Sequence, residues 1–255
     1  GRALLGSILL SAGRDAKETL DLRIEGGGPL GYIQAETRVA ELGLLRARGF
    51  LANPSVDVVP GGKFDIGAAI GRDGYLRVIR KHPLWKEAHT STTSLETGEV
   101  GDDLAYFLFQ SEQVPSAVGV GVHFDPEAAQ VQAAAGFICA GLPGCDEEEL
   151  ATLERNVVAL PAPSECVRLG MTAREVAAQL LQGLGEFEDA RQADRVEFGC
   201  DCSRKQAIGS LEFLSKEELA EAKASGNPIQ IKCEWCGCAR SITAGEILKA
   251  RGAIC

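Results

Sequence analysis

The sequence predicts an α+β chain with an N-terminal domain of mixed sheet and helix over residues 1–164, a helical linker over 165–199 and a small cysteine-bearing module over 200–255. Three observations carry this reading. Leu20-Asp21-Leu22-Arg23-Ile24-Glu25 alternates apolar and charged residues with the period of a half-buried strand. Segments of helical period are segregated from such strands, the pattern of α+β rather than of repeated βαβ units. Four of the nine cysteines fall in two tight pairs near the C-terminus.

In chain order, residues 1–12 carry Leu4, Leu5, Ile8 and Leu9 at helical spacing, a helix expected to bury that side. After the strand at Leu20, Gly26-Gly27-Gly28-Pro29 marks a turn. Further short strands are expected through about residue 80, punctuated at Asn53-Pro54, Pro60-Gly61-Gly62 and Arg72-Asp73-Gly74. Asp102 to Phe109 reads as a helix, Val118, Val120, Val122 and Phe124 as a strand, and Ala133 to Ile138 as another. Asp146 to Leu160 starts on acidic residues, as a helix N-terminus favours. Pro161 and Pro163 mark the edge of this domain.

The linker opens on a capping box, Thr172-Ala173-Arg174-Glu175, followed by Val176, Ala177, Leu180, Leu181 and Leu184 at helical spacing. Gly183, Gly185 and a charged tail through Arg195 weaken its end. A helix this short is marginal alone and depends on what it packs against. It is either an ordinary interdomain helix or a metastable segment.

Cys200-Asp201-Cys202 and Cys233-Glu234-Trp235-Cys236 are separated by thirty residues. Two short-spaced thiol pairs are what a tetrahedral zinc site takes. Side chains two apart in an extended segment share a side, so Cys200 and Cys202 can hold one ion, and Gly237 favours a tight knuckle presenting Cys233 and Cys236. Between the pairs, Ser215-Lys216-Glu217-Glu218 caps a helix through about Lys223 that Gly226-Asn227-Pro228 stops. Ile229 to Lys232 alternates as a strand, and Thr243-Ala244-Gly245-Glu246 opens a last helix. The plain reading of such a site is a permanent structural staple. Its thiolate ligands are nonetheless the form of cysteine that oxidants attack. Structural zinc binding of roughly 10 to 16 kcal/mol rivals the whole stability of a domain, roughly 5 to 15 kcal/mol, so oxidising the ligands is expected to unfold the module.

Composition narrows the function. The 255 residues are 45% apolar, enough for a sizeable core, with a net charge of −10. Residues 200–255 hold eight Lys or Arg against seven Asp or Glu, a net +1, and residues 1–199 hold 18 against 29, a net −11. An acidic body weighs against nucleic acid as a partner. No apolar run reaches the length of a membrane span, which predicts a soluble protein with no membrane partner. An odd number of cysteines, four of them in zinc spacing, argues against a secreted disulfide framework. Gly61-Gly62-Lys63 lacks the remainder of a P-loop, the glycines at Gly26 and Gly119 to Gly121 make no dinucleotide fingerprint, and His82, His89 and His123 are scattered. Ser111-Glu112-Gln113 has no histidine near it in sequence and reads as a buried polar cap or turn. The chain is therefore not expected to be an enzyme.

Val196-Glu197-Phe198-Gly199-Cys200-Asp201-Cys202-Ser203-Arg204, taken with Cys233-Glu234-Trp235-Cys236-Gly237, resembles the zinc module of the heat-shock protein 33 family, the redox-regulated 33 kDa chaperonin. Tyr106-Phe107-Leu108-Phe109-Gln110-Ser111-Glu112-Gln113-Val114-Pro115 is similar to a signature of that family's large domain. Gly1-Arg2-Ala3-Leu4-Leu5-Gly6 is similar to its early helix, and Gly26 to Gly31 to its glycine-rich turn. The resemblance covers nearly the whole chain and implies a further stretch ahead of Gly1.

It implies a holdase chaperone that works without ATP. Reduced and inactive, it holds one Zn²⁺ on Cys200, Cys202, Cys233 and Cys236; oxidised, it forms the disulfides Cys200–Cys202 and Cys233–Cys236. Zinc is then released, the linker unfolds, and unfolded or oxidatively damaged client proteins are bound by a homodimer. A disulfide across one residue closes a small, strained ring that is easily reduced, which suits a reversible switch. The implied compartment is the cytoplasm, or an organelle stroma or matrix if a targeting segment has been removed.

Of the other cysteines, Cys139 reads as a buried small hydrophobe. Cys145 and Cys166 flank a loop-helix element and could pair, and Cys255 reads as a free terminal thiol. Cys238 departs from the family's four and could compete as a ligand or divert oxidation. Two other function classes stay open: an enzyme or nucleic-acid-binding protein with a purely structural zinc ribbon, and a thiol oxidoreductase turning over on Cys233 and Cys236.

Overall fold

The first helix, α1 (Arg2–Ser11), buries its small face. Ala3, Gly6, Ser7, Leu10 and Ser11 are buried, whereas Leu4, Leu5, Ile8 and Leu9 are only half-buried. The expected leucine face is thus displaced by close approach. A Cβ on Gly6 would stand 2.5 Å from Leu104 Cδ1, and Ser7 Oγ lies 2.8 Å from Thr37 Oγ1 in a fully buried hydroxyl pair. The larger leucines could not occupy that contact.

The computed structural model describes residues 1–40, 43–55, 65–188 and 195–252, in two compact units, Gly1–Phe198 and Gly199–Cys255. In the first unit β1 (Thr19–Glu25), β2 (Tyr32–Val39) and β3 (Leu44–Leu51) form an antiparallel meander. A short helix α2 (Ile66–Ile70), capped by Asp65, leads into β4 (Tyr75–Lys81) and β5 (His89–Ser94). The alternation expected of the first strand is observed, with Leu20, Leu22 and Ile24 buried and Asp21, Arg23 and Glu25 on the other face. That outer face carries its own polar network. Arg23 and the Tyr75 hydroxyl both donate to Glu25 Oε2, and Gln34 Nε2 donates to Asp21.

Helix α3 (Val100–Glu112) inserts Leu104 and Phe107, both fully buried, into the core that α1 shares with β1 and β4. It is longer than expected at both ends. β6 (Ser116–Asp125) and β7 (Gln130–Ala140) pair as a separate hairpin, with Val118, Val120 and Ile138 packed on the same core. α4 (Glu147–Ala159) follows, capped by Asp146 with a reciprocal bond from Glu149. Turn residues Pro60, Gly61 and Gly62 lie outside the described residues.

Residues 165–199, read as linker, contribute elements that pack within the first unit. α5 (Pro163–Arg168) lies against β6 and β7. α6 (Ala173–Leu180) begins at the expected Thr172 capping box and stops after Leu180, where Asn156 of α4 donates to the carbonyls of Leu180 and Gln182. Gly183 and Gly185 take positive φ beyond it. β8 (Arg195–Phe198) then joins the sheet parallel to β3, completing the order β5-β4-β1-β2-β3-β8.

The second unit holds α7 (Arg204–Ser210), α8 (Lys216–Ser225), β9 (Ile229–Lys232), β10 (Ala239–Ile242) and α9 (Ala244–Gly252). The expected boxes at Ser215 and Thr243 are formed, and Gly226 ends α8 in the left-handed conformation. Its core is small: Leu219, Ile242 and Ile247 are buried, with Ile208, Leu211, Leu214, Ile229 and Ile231 packed around them.

Candidate metal centre

The hairpin β9–β10 sets the second cysteine pair. Its register places Ala239 opposite Lys232 and Ile242 opposite Ile229, leaving residues 233–238 as the connecting knuckle. Gly237, at φ 70°, donates its N–H to the Cys233 carbonyl at 2.8 Å, and the Cys233 N–H donates to the Cys238 carbonyl at 3.0 Å. The positive φ that Gly237 adopts without steric cost closes this turn.

The first pair lies in an extended segment just ahead of α7. Ser203 caps that helix through the Gln206 N–H, and the Gln206 side chain returns the bond. Arg204 then forks onto both Glu246 carboxylate oxygens at 2.8 and 3.0 Å and reaches the Ser241 carbonyl at 2.8 Å. This fork fastens the start of α7 to the end of β10 and the first turn of α9. Arg204, followed by the Thr243 backbone and hydroxyl, holds the Glu246 carboxyl down to about 2. Arg251 donates to the carbonyls of Glu212 and Leu214, closing the other side of the module.

These elements bring Cys200, Cys202, Cys233 and Cys236 together, all four sulfurs within 4.8 Å of one another. Cys200 Sγ is 3.7 Å from Cys233 Sγ, and Cys202 Sγ is 3.5 Å from Cys236 Sγ. A tetrahedral zinc with Zn–S of about 2.3 Å puts neighbouring sulfurs about 3.8 Å apart, so the cluster has the size that ion takes. The chemistry of the donors agrees. The Cys238 N–H favours a Cys236 thiolate, but contacts from Cys202, burial, and contacts from Cys200 and Cys233 outweigh it and push the Cys236 thiol up to about 12. Four thiolates this close need a cation among them, and a divalent ion would deprotonate them outright.

Arg240, on β10, was not among the residues that spacing could identify. Its Nη2 donates to the Cys202 carbonyl at 2.9 Å and lies 3.8 Å from the Cys202 sulfur. A lone arginine four residues past the last clustered cysteine carries no motif; only the hairpin register turns it toward the centre.

Among the remaining candidates, Cys238 is exposed and stands outside the four-sulfur cluster. Cys139 is half-buried, and burial raises its thiol. Cys145 is exposed, whereas Cys166 is fully buried with its thiol on the Pro161 carbonyl, and both are free. Cys255 lies outside the described residues. His82 and His89 pack on Trp85, with ring centroids 5.7 and 4.8 Å away. Ser111-Glu112-Gln113 ends α3: Glu112 pairs with Arg80 at 3.3 Å, and Gln113 takes the left-handed cap.

Similarity to known proteins covers both units. The family profile described as "Hsp33 protein" matches residues 1–243. The 33 kDa chaperonin of Symbiobacterium thermophilum is 36% identical over 254 residues, spanning 98% of this chain and 83% of that protein. That of Syntrophotalea carbinolica is 36% identical over 250 residues, spanning 97% and 83%. The crystal structure of the 33 kDa chaperonin from Thermotoga maritima superposes with a TM-score of 0.85 at 31% identity, covering 99% of this chain and 84% of that one. Matched along its length in sequence and in fold, the chain belongs to the Hsp33 protein family and is a chaperone rather than an enzyme.

Proposed function

We propose that the protein is a redox-regulated, ATP-independent holdase whose switch is the Cys200, Cys202, Cys233 and Cys236 zinc centre. The observation that carries this is the convergence of four sulfurs within 4.8 Å in a module with very little core. The core cluster of the unit Gly199–Cys255 holds only Leu219, Ile242 and Ile247 fully inside, with partly buried residues around them. Zinc supplies the missing stabilisation by holding the four thiolates together.

Oxidation removes that support. A hydroperoxide takes two electrons from each cysteine pair and is reduced to water, the disulfides Cys200–Cys202 and Cys233–Cys236 form, and the module, without thiolates to hold an ion, loses its fold. Residues 165–199 then unfold in turn, acting as the metastable linker between an N-terminal client-binding domain, 1–164, and the switch module, 200–255. What this segment covers supports that step. Val167, Met171, Val176, Leu180 and Leu181 line an apolar cavity of about 350 Å³ with Phe137 of β7. Unfolding of α5 and α6 exposes both sides of it, an apolar surface of the kind unfolded clients bind. The active species is a homodimer in the cytoplasm, and its partners are unfolded or oxidatively damaged proteins.

The test follows zinc with a chromogenic chelator while peroxide is added, and in the same samples scores whether a thermally unfolding client stays soluble. Zinc release and suppressed aggregation should rise together, reverse with a thiol reductant, and lose their oxidant dependence in Cys233→Ser. Zinc retained under oxidant, or released with no holdase activity, makes the module a permanent staple.

A further inference from the structure

Cys238 is the cysteine that the switch as proposed leaves unused, and the hairpin sets it opposite one of the ligands. Lys232 and Ala239 are the last register pair of β9–β10, and the next two residues inward are Cys233 and Cys238. The Cys233 N–H donates to the Cys238 carbonyl at 3.0 Å. That is the single backbone bond between them, since the Cys233 carbonyl accepts from Gly237; residues opposite each other across antiparallel strands have Cα atoms about 4.5 to 5.5 Å apart, within the range of about 4.4 to 6.8 Å that a disulfide spans. Both cysteines line one cavity of about 200 Å³, together with Cys202, Lys232 and Arg240. Cys238 is exposed, whereas the four clustered cysteines are half-buried. Cys238 is therefore more open to an oxidant from solvent than the four clustered cysteines, and the one facing it across the turn is Cys233.

We propose that Cys238 is the entry thiol for oxidation, forming a transient Cys233–Cys238 disulfide that hands over to Cys233–Cys236; this rests on the redox reading above. The oxidant is a hydroperoxide. The Cys238 thiolate attacks one peroxide oxygen, the O–O bond breaks, and Cys238 becomes a sulfenic acid as hydroxide leaves. The Cys233 sulfur, as thiolate, attacks the Cys238 sulfur. The S–S bond forms, the S–O bond breaks, and a second hydroxide leaves to be protonated to water. Cys233 is then lost as a ligand. Cys236, freed from the weakened site, attacks the Cys233 sulfur and expels Cys238 as a thiolate, so Cys238 returns unchanged.

The zinc-loaded full chain is mixed with hydrogen peroxide, acid-quenched at graded times, alkylated and digested with trypsin. Residues 233–240 are then one peptide, in which the alkylated cysteine marks the thiol left out of the disulfide. The label is expected on Cys236 early and on Cys238 late, and Cys238→Ser should release zinc several-fold more slowly while ending in the same Cys233–Cys236 disulfide. Label on Cys238 at every time, or a Cys238→Ser variant releasing zinc at the wild-type rate, overturns the relay and leaves the redox switch intact. All thiols of the cluster alkylated after peroxide, with zinc retained, overturns both.

Discussion

Arg240 donates Nη2 to the carbonyl oxygen of Cys202 at 2.9 Å and lies 3.8 Å from the sulfur of the same residue. The guanidinium thus fixes the backbone that presents one sulfur of the candidate metal centre. Outer partners of this kind are worth about 10- to 100-fold in metal affinity. Arg240→Ala is expected to weaken zinc binding about tenfold, read by competition with a chelator of known affinity, with Arg240→Lys recovering part of it. Unchanged affinity in both variants would show that the contact positions nothing.

Glu112 of the polar Ser111-Glu112-Gln113 stretch pairs with Arg80, which is 8% exposed. Glu112→Gln removes one of the two carboxylates, with Glu18, whose charge acts on that buried guanidinium, and should destabilise the first unit by about 1 to 3 kcal/mol. The zinc affinity should not move. A melting temperature equal to wild type would sink the pairing as a structural element, and a changed zinc affinity would mean the motif acts beyond its own unit.

Gly28 donates its N–H to the Ile70 carbonyl at 2.8 Å, and a Cβ there would meet Ala69 O and Ile70 C at 2.5 Å. Both are backbone atoms that no rotamer change can move. Gly28→Ala should therefore cost about 1 to 3 kcal/mol and lower the melting temperature by several degrees. Gly209→Ala, within α7 with nothing within 4 Å of the added carbon, should be neutral or slightly stabilising. Equal melting temperatures for the two variants would refute the close approach.

Two carboxyls of the first unit should titrate in opposite directions. Burial raises Asp103 above its ordinary 3.8, although its Oδ1 accepts the N–H groups of Glu96 and Thr97. Its favourable contribution is complete below pH 3.8 and is lost as pH rises through the raised value. The hydrogen bonds from Arg23 and Tyr75 lower Glu25 below 4.5, so its contribution is present above pH 4.5 and is lost as pH falls through the lowered value. Carboxyl carbon shifts in an NMR titration read both, and finding Asp103 at or below 3.8, or Glu25 at or above 4.5, would overturn the assignment.

What the sequence by itself determined is local. The four-sulfur cluster was legible because two thiols within three residues of each other readily face one point. The starts of α6, α8 and α9 were legible because Thr172, Ser215 and Thr243 each find their acidic partner three residues on. Leu20, Leu22 and Ile24 were legible because a strand repeats every two residues. The tertiary structure decided whatever depends on a distant neighbour. Arg195–Phe198 is too short to announce a strand, and pairs with β3 only because that edge is free to take it. The buried face of α1 is small rather than leucine-rich because Leu104 and Thr37, from elements far along the chain, fill the space beside Gly6 and Ser7. Arg240 and Cys238 acquire meaning in the same way, because hairpin pairing fixes which side chains face each other across a turn, and pairing is a property of two strands rather than of either sequence alone.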